Sequence, residues 1–118
     1  MTTLWHVDRQ RVIVPDLEMA TDRQARARGL IGHRPLHIGQ GMLIRPCRWI
    51  HMFGMGFPID VLYVSRAGRV VACTEKIAPG RIDRPVLSAH YVVELAAGSI
   101  HHFGVQVGDR LMLQEVRA

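Results

Sequence analysis

The chain has 118 residues, 48% of them hydrophobic, and two cysteines. That length suits one domain with a core of its own, and the composition excludes both wholesale disorder and a disulfide scaffold. The formal charge of +5 comes almost wholly from arginine, Lys76 being the only lysine. The arginines form no run and are not interleaved with aromatics, which argues against a nucleic-acid partner.

The opening MTTLWHVDRQ lacks the apolar core of a signal peptide. No window offers the roughly 18 uninterrupted apolar residues of a membrane-spanning helix. The expectation is a soluble, cytoplasmic, single domain over residues 1–118, with Cys47 and Cys73 as reduced, part-buried thiols.

In chain order, Trp5–Val7 and Arg11–Val14 read as short strands, the second ended by Pro15. Thr21-Asp22-Arg23-Gln24 has the form of a capping box, predicting a helix from Arg23 to Leu30 with Thr21 as its N-cap and Gly29 or Gly32 as its stop. Ala20, Ala27, Leu30 and Ile31 are its expected inner contacts; Arg23, Arg26 and Arg34 are expected in solvent. Strands follow at Gly41–Arg45, Arg48–Phe53 and Ile59–Val64. Arg66-Ala67-Gly68 turns the chain into Arg69–Ile77. Ala78–Pro85 is a loop and Ala89–Leu95 a strand. Ser99 opens a short helical turn, SIHHF, that Gly104 can stop in the left-handed conformation. Arg110–Val116 is the last strand. Seven or eight short strands with no βαβ rhythm predict an all-β or β-rich domain with one short helix near the N-terminus. The natural architecture is a sandwich, jelly-roll-like, or a partly closed barrel.

The densest chemistry lies in CRWIHMFGMGFPID, Cys47 to Asp60. If the segment runs extended, Cys47, Trp49, His51, Phe53 and Met55 share one face. That face mixes a thiol and an imidazole with aromatics, so the segment either is covered on both sides or borders a cleft. Gly54 and Gly56 predict a bend that presents Met55. Thiolate, imidazole and thioether are ligands for soft metals, yet C-x3-H-x3-M is not a zinc signature and no CxxC or HxxxH accompanies it. Cys47 with a histidine could form a thiol nucleophile, but it follows Pro46 on a strand rather than opening a helix. Asp60 and Glu94 are the two carboxylates inside strongly apolar strands. Each needs a partner, and Arg28 is the candidate for one of them.

Several stretches come in an order that resembles a known family. RARGLIG (Arg26–Gly32), GMLIRPCRWIHMFGMGFPIDVLYV (Gly41–Val64), GRVV (Gly68–Val71) and VVELAAGSIHHFGVQVGDRL (Val92–Leu111) together resemble the domain of unknown function 192. Arg28-Gly29-Leu30 matches its Arg-Gly-Leu helix motif. His51-Met52-Phe53-Gly54-Met55 followed by Pro58-Ile59-Asp60 matches its centre, with Met52 in place of threonine and Gly56 where a basic residue is common. Glu94 matches the acidic position of its late strand, and Val107-Gly108-Asp109 its final turn. The resemblance implies a compact β-sandwich of jelly-roll type and no established activity. Family members often carry an export signal, which this N-terminus lacks.

The expected function is a non-enzymatic module that binds a small molecule, a glycan or a peptide near His51, Met55 and Asp60, with Arg28 and Glu94 beside them. No catalytic residue, metal ligand or cofactor is assigned. Two alternatives are a purely structural polar core, with function in partner binding, and a Cys/His hydrolase or soft-metal site. Exposed sheet edges also allow a homodimer.

Overall fold

The computed structural model describes residues 1–117. Eight strands form two sheets: β1 (Thr2–His6), β2 (Arg11–Val14), β3 (Glu18–Ala20), β4 (Gly41–Ile44), β5 (Ile59–Val64), β6 (Val70–Ile77), β7 (Tyr91–Ala96) and β8 (Leu111–Glu115). Two short helices, α1 (Arg23–Arg28) and α2 (Ser99–Phe103), interrupt them. The smaller sheet has the order β2-β1-β8 and the larger β3-β4-β7-β5-β6. All pairings are antiparallel except β3 with β4. Among the described residues neither sheet closes into a barrel.

The β texture follows from local chemistry. β5 and β6 are β-branched and aromatic runs joined at Gly68, whose φ of +86° suits a residue without a Cβ. β5 and β7 are buried along all six of their residues, so both faces of the central sheet are covered. Inward, Leu62, Val64, Val93 and Leu95 pack with Leu4, Ile13 and Leu111 of the smaller sheet and with Ile100 and Phe103 of α2. Outward, Val61, Tyr63 and Val92 pack with Leu30, Ile50, Met52 and Phe57. The large sheet is therefore the middle of three layers, and the outer layer is irregular chain.

Two expectations are corrected in that outer layer. Arg48–Phe53 is not a strand; one bridge, His51 with Ile82, is all that pairs. Its partner is the loop after β6, reached by Met52 N–H to Arg81 O (2.7 Å), Gly80 N–H to Met52 O (2.8 Å) and Val86 N–H to Arg48 O (2.8 Å). Such a partner, broken by Gly80 and Pro85, cannot present a regular ladder. The second correction concerns α1. Its N-cap is Asp22, whose carboxylate accepts the Ala25 N–H at 2.8 Å, and not Thr21. The carboxylate reaches that amide and outcompetes the hydroxyl one residue earlier. Gly29 ends the helix, as expected, with φ +50° and ψ −129°. Leu30 is buried, but Ala27 and Ile31 are exposed. A helix of six residues tilts only one end onto the sheet. β3, too short to show periodicity, was not anticipated.

The loop over the outer face is pinned by Asp83, which accepts hydrogen bonds from Tyr63 Oη and Thr74 Oγ1, both at 2.7 Å. Burial and that carboxylate raise the Tyr63 phenol far above its ordinary range. No helix among the described residues is long and apolar enough to cross a membrane.

Candidate functional site

Asp60 and Glu94 lie on neighbouring strands of one sheet and point to opposite sides of it. On β5, Asp60 shares its face with Leu62 and Val64, toward the smaller sheet. Glu94, on β7, shares its face with Val92, toward the outer layer. The two carboxylates do different work.

Asp60 is fully buried. Its Oδ2 accepts the N–H groups of Gly98 (3.1 Å) and Ile100 (2.9 Å) at the start of α2. Its Oδ1 accepts the Lys76 N–H at 2.8 Å, where β6 bends through a positive φ of +51°. It is thus a bracket between β5, β6 and α2. Its expected partner among the arginines is replaced by three backbone donors, and it does not line the cleft described next.

Glu94 is the opposite case. It is 5% exposed, and its Oε1 has no hydrogen-bond partner among the described residues. Burial raises the carboxyl to a pKa of about 7. No ion pair joins it to Arg28 or to any other described residue. Arg28 is exposed and does not neutralise either acid, so the sequence-based pairing is corrected. Gly29 sits over the carboxylate: a Cβ there would lie 3.6 Å from Glu94 Oε1. A side chain at Gly29 would stand in contact with that oxygen, which is itself closed off from solvent although Glu94 as a residue lines the cleft.

That cleft, of about 200 Å³, runs between α1 and the irregular 47–55 segment. Arg28, His51, Met55 and Glu94 line it, so four of the five expected residues meet there and Asp60 does not. Arg26, Cys47 and Trp49 also line it and were outside the expected set. Trp49 and Cys47 carried a signal, the shared parity with His51 and Met55. Arg26 carried none, since its exposure depends on how α1 tilts. It is half-buried, donating from Nη1 to Pro46 O (3.3 Å) while its Nε–H lacks a partner. Gly54, with φ +79°, turns the chain back so that Met55 N–H meets Met52 O, as the glycines predicted.

The extended parity of this segment is real although the strand is not. Ile50 and Met52 point into the sheet; Trp49, His51 and Phe53 point out. His51 stacks on Phe53 with ring centroids 4.9 Å apart and leans on Trp49 at 5.6 Å. Trp49 and Phe53 remain 43% and 50% exposed, so this row of rings is open to solvent. Phe53 N–H donates to His51 Nδ1 at 3.2 Å, which assigns the neutral ring's proton to Nε2.

Nucleophilic chemistry has little support here. Burial raises the Cys47 thiol above its ordinary range, the nearby Glu94 adds to that, and its Sγ–H donates to Trp49 O at 3.1 Å. A protonated thiol is a poor nucleophile. Cys47 and Cys73 are therefore expected to alkylate with iodoacetamide at pH 7 at similar, slow rates. Labelling of Cys47 many times faster than Cys73, followed by mass spectrometry, would reinstate the thiol mechanism.

Cys47, His51 and Glu94 do not converge as metal ligands. The one group of three among the described residues whose ligand atoms lie within 4.8 Å is elsewhere, His6, Asp8 and Asp109. Those carboxylates are engaged in bracing turns: Asp109 accepts from the Gln106 N–H and meets His6 Nε2 at 2.7 Å, and Asp8 accepts from the Arg110 N–H. Two hollows of about 350 Å³ flank β3, one against α1 and one against the loop before β4; neither holds a buried group without a partner.

Two crystal structures share this architecture. A Sinorhizobium meliloti protein, described as a proposed transcription regulator, superposes with a TM-score of 0.77 at 28% identity, over 94% of this chain and 90% of its own. A protein of unknown function from Novosphingobium aromaticivorans superposes with a TM-score of 0.80 at 21% identity, over 94% of this chain and 82% of its own. At that identity the second likeness concerns the fold alone. No curated protein matches the chain. Residues 5–113 match the sequence pattern of DUF192, described as an uncharacterized ACR, and this chain belongs to that family.

Proposed function

We propose that the chain is a single-domain, non-enzymatic binding module, a jelly-roll-type sandwich whose ligand seats in the cleft above Glu94. One observation carries this reading: a carboxylate nine-tenths buried, without a protein donor, at the floor of an open cleft. A buried polar group without a partner costs about 1–3 kcal/mol, and more when charged. A fold with no other demand on that position would place an apolar side chain there. A ligand that donates to the carboxyl group from the cleft recovers part of the loss.

The surroundings favour binding over catalysis. Acid–base cleavage of a glycoside uses two carboxyl groups, and Glu94 is the one carboxylate among the described residues lining the cleft. The thiol is held protonated. The purely structural alternative is weakened because no hydrogen bond joins any two of Arg28, His51, Met55, Asp60 and Glu94 among the described residues. A satisfied core network would show such bonds.

The regulator description of the Sinorhizobium meliloti neighbour suggests a DNA-reading role. Here it has less support. α1 and α2 have six and five residues and are separated by most of the chain. A helix-turn-helix unit joins its two helices through a turn of about three or four residues.

The test is a screen of small fragments (amines, acids, polyols and heteroaromatics) read by shifts of backbone amide signals. Hits are expected to cluster on Gly29, Trp49, Met55 and Glu94, and to be lost in Trp49→Ala. Hits clustering instead beside Met19 and Met42, or none at all, would overturn the proposal.

A further inference from the structure

Among the described residues no arginine forms an ion pair with a carboxylate. Two arginines and a histidine gather at one end of the large sheet. Arg45 follows β4, Arg66 sits in the turn between β5 and β6, and His90 immediately precedes β7. All three line a hollow of about 290 Å³ that Leu111 and Leu113 of β8 wall on one side. No carboxylate among the described residues lines it. The backbone beneath is held by hydrogen bonds: Arg45 N–H to Ala20 O (3.1 Å), His90 N–H to Val64 O (2.7 Å), and Gly68 N–H to Ser65 O (2.9 Å), which closes the turn carrying Arg66. Leu111 N–H donates to Gly68 O (2.7 Å) and ties that turn to β8.

The polar ends of this frame are unused. Among the described residues, arginine side chains donate hydrogen bonds from Arg26, Arg48 and Arg69; Arg45, Arg66 and the His90 ring make none. Partial burial, and then the charges of Arg66, Arg45 and Arg48, hold the His90 imidazole below its ordinary range, and no carboxylate acts on it. Positive charge is therefore concentrated here without compensation from the chain. An anion seated among these groups relieves their repulsion; a cation adds to it, and a neutral ligand leaves it in place. Among anions, a carboxylate has two oxygens in one plane, and a single guanidinium fork satisfies both. A phosphate monoester has three free oxygens and about −1.5 to −2 charges at pH 7. It can accept from two guanidinium groups on different elements and from an imidazole N–H at once. The leucine wall offers apolar contact to the carbon that bears the phosphate.

We propose that this hollow binds the phosphate group of a phosphomonoester, with Arg45 and Arg66 as its two guanidinium partners and the His90 ring as a third donor. It shares no lining residue with the cleft over Glu94, so the two sites are tested separately.

The test is a titration of the purified full chain with methyl phosphate and with acetate at constant ionic strength, read by backbone amide shifts and by the ring signals of His90. Methyl phosphate is expected to give saturable shifts at Arg66, Ala67 and His90, with an affinity about tenfold or more above that of acetate. Arg66→Gln should weaken it about tenfold, and Arg66→Lys, which keeps the charge but not the fork, by less. Arg66 is exposed in a turn, so both variants keep the fold. Bound methyl phosphate should also raise the titration midpoint of His90, since its charge offsets the arginines. Vesicles of phosphatidylcholine carrying phosphatidic acid, a monoester, or phosphatidylglycerol, a diester, distinguish the source. Sedimentation with phosphatidic acid alone supports the site and identifies a lipid headgroup; methyl phosphate binding without sedimentation supports it and identifies a free ester. Equal affinity for acetate and methyl phosphate would overturn the phosphate assignment. Shifts that do not saturate, or that persist unchanged in Arg66→Gln, would show a basic surface only and overturn the site.

Discussion

Replacing Asp60 by alanine is expected to cost the fold about 3–5 kcal/mol, because three buried backbone N–H groups lose their acceptor together. Gly98, Ile100 and Lys76 all donate to this one carboxylate. Two of those donors belong to the first turn of α2, and the third holds the bend in β6. Asp60→Asn keeps one acceptor oxygen but turns an amide donor toward another donor, so it should recover less than half of the loss. Urea unfolding measures both: the midpoint should fall with little change in slope if the native contacts are what is lost. A midpoint for Asp60→Ala close to that of the parent would mean that water or a rearranged turn satisfies these amides, and the bracket described above would be wrong.

Glu94 should behave in the opposite sense. Its carboxyl titrates near 7 in the folded chain because burial disfavours the anion, against an ordinary value near 4.5 when unfolded. Below the unfolded value both states hold the proton and stability is unaffected. Between about 4.5 and 7 the unfolded chain gives up its proton first, so stability falls as pH rises through this window. Above the folded value the loss is complete, at about 3 kcal/mol by linkage. Relative to Glu94→Gln, the parent is therefore expected to lose about 2–3 kcal/mol between pH 5 and pH 8. Paired unfolding curves at the two pH values measure this difference. Equal pH dependence of parent and variant would mean that the carboxylate finds a partner in solution, which would remove the observation on which the binding reading rests. A stabilising substitution at a residue that a ligand needs is the usual signature of function held against stability.

How legible the site was depends on which contacts carry it. The extended parity from Cys47 to Met55 is written in the chain, and so is the Gly54 bend. They are local: the bend survives, and the parity survives from Trp49 to Phe53, while Cys47 and Met55 pack against the core instead. The same holds for the hairpin at Gly68 and the Gly104 stop of α2, where a glycine at positive φ acts within a few residues. Thr21 and Asp22 were both cap-forming residues, and the choice between them turned on one hydrogen bond.

Asp60 and Glu94 show where sequence information ends. Each is one acid in a fully buried six-residue strand. With both faces of the sheet covered, no polar alternation marks which parity faces which layer. The chain by itself determined that there would be two sheets' worth of short strands, a family, and a pair of carboxylates in need of partners. Only the tertiary structure decided that one carboxylate gathers three backbone donors beneath α2 while the other lies bare beneath Gly29. The reason is physical: strand pairing and layer order are set by contacts between residues far apart in the chain, and a carboxylate's role is set by whichever donors those contacts bring within reach.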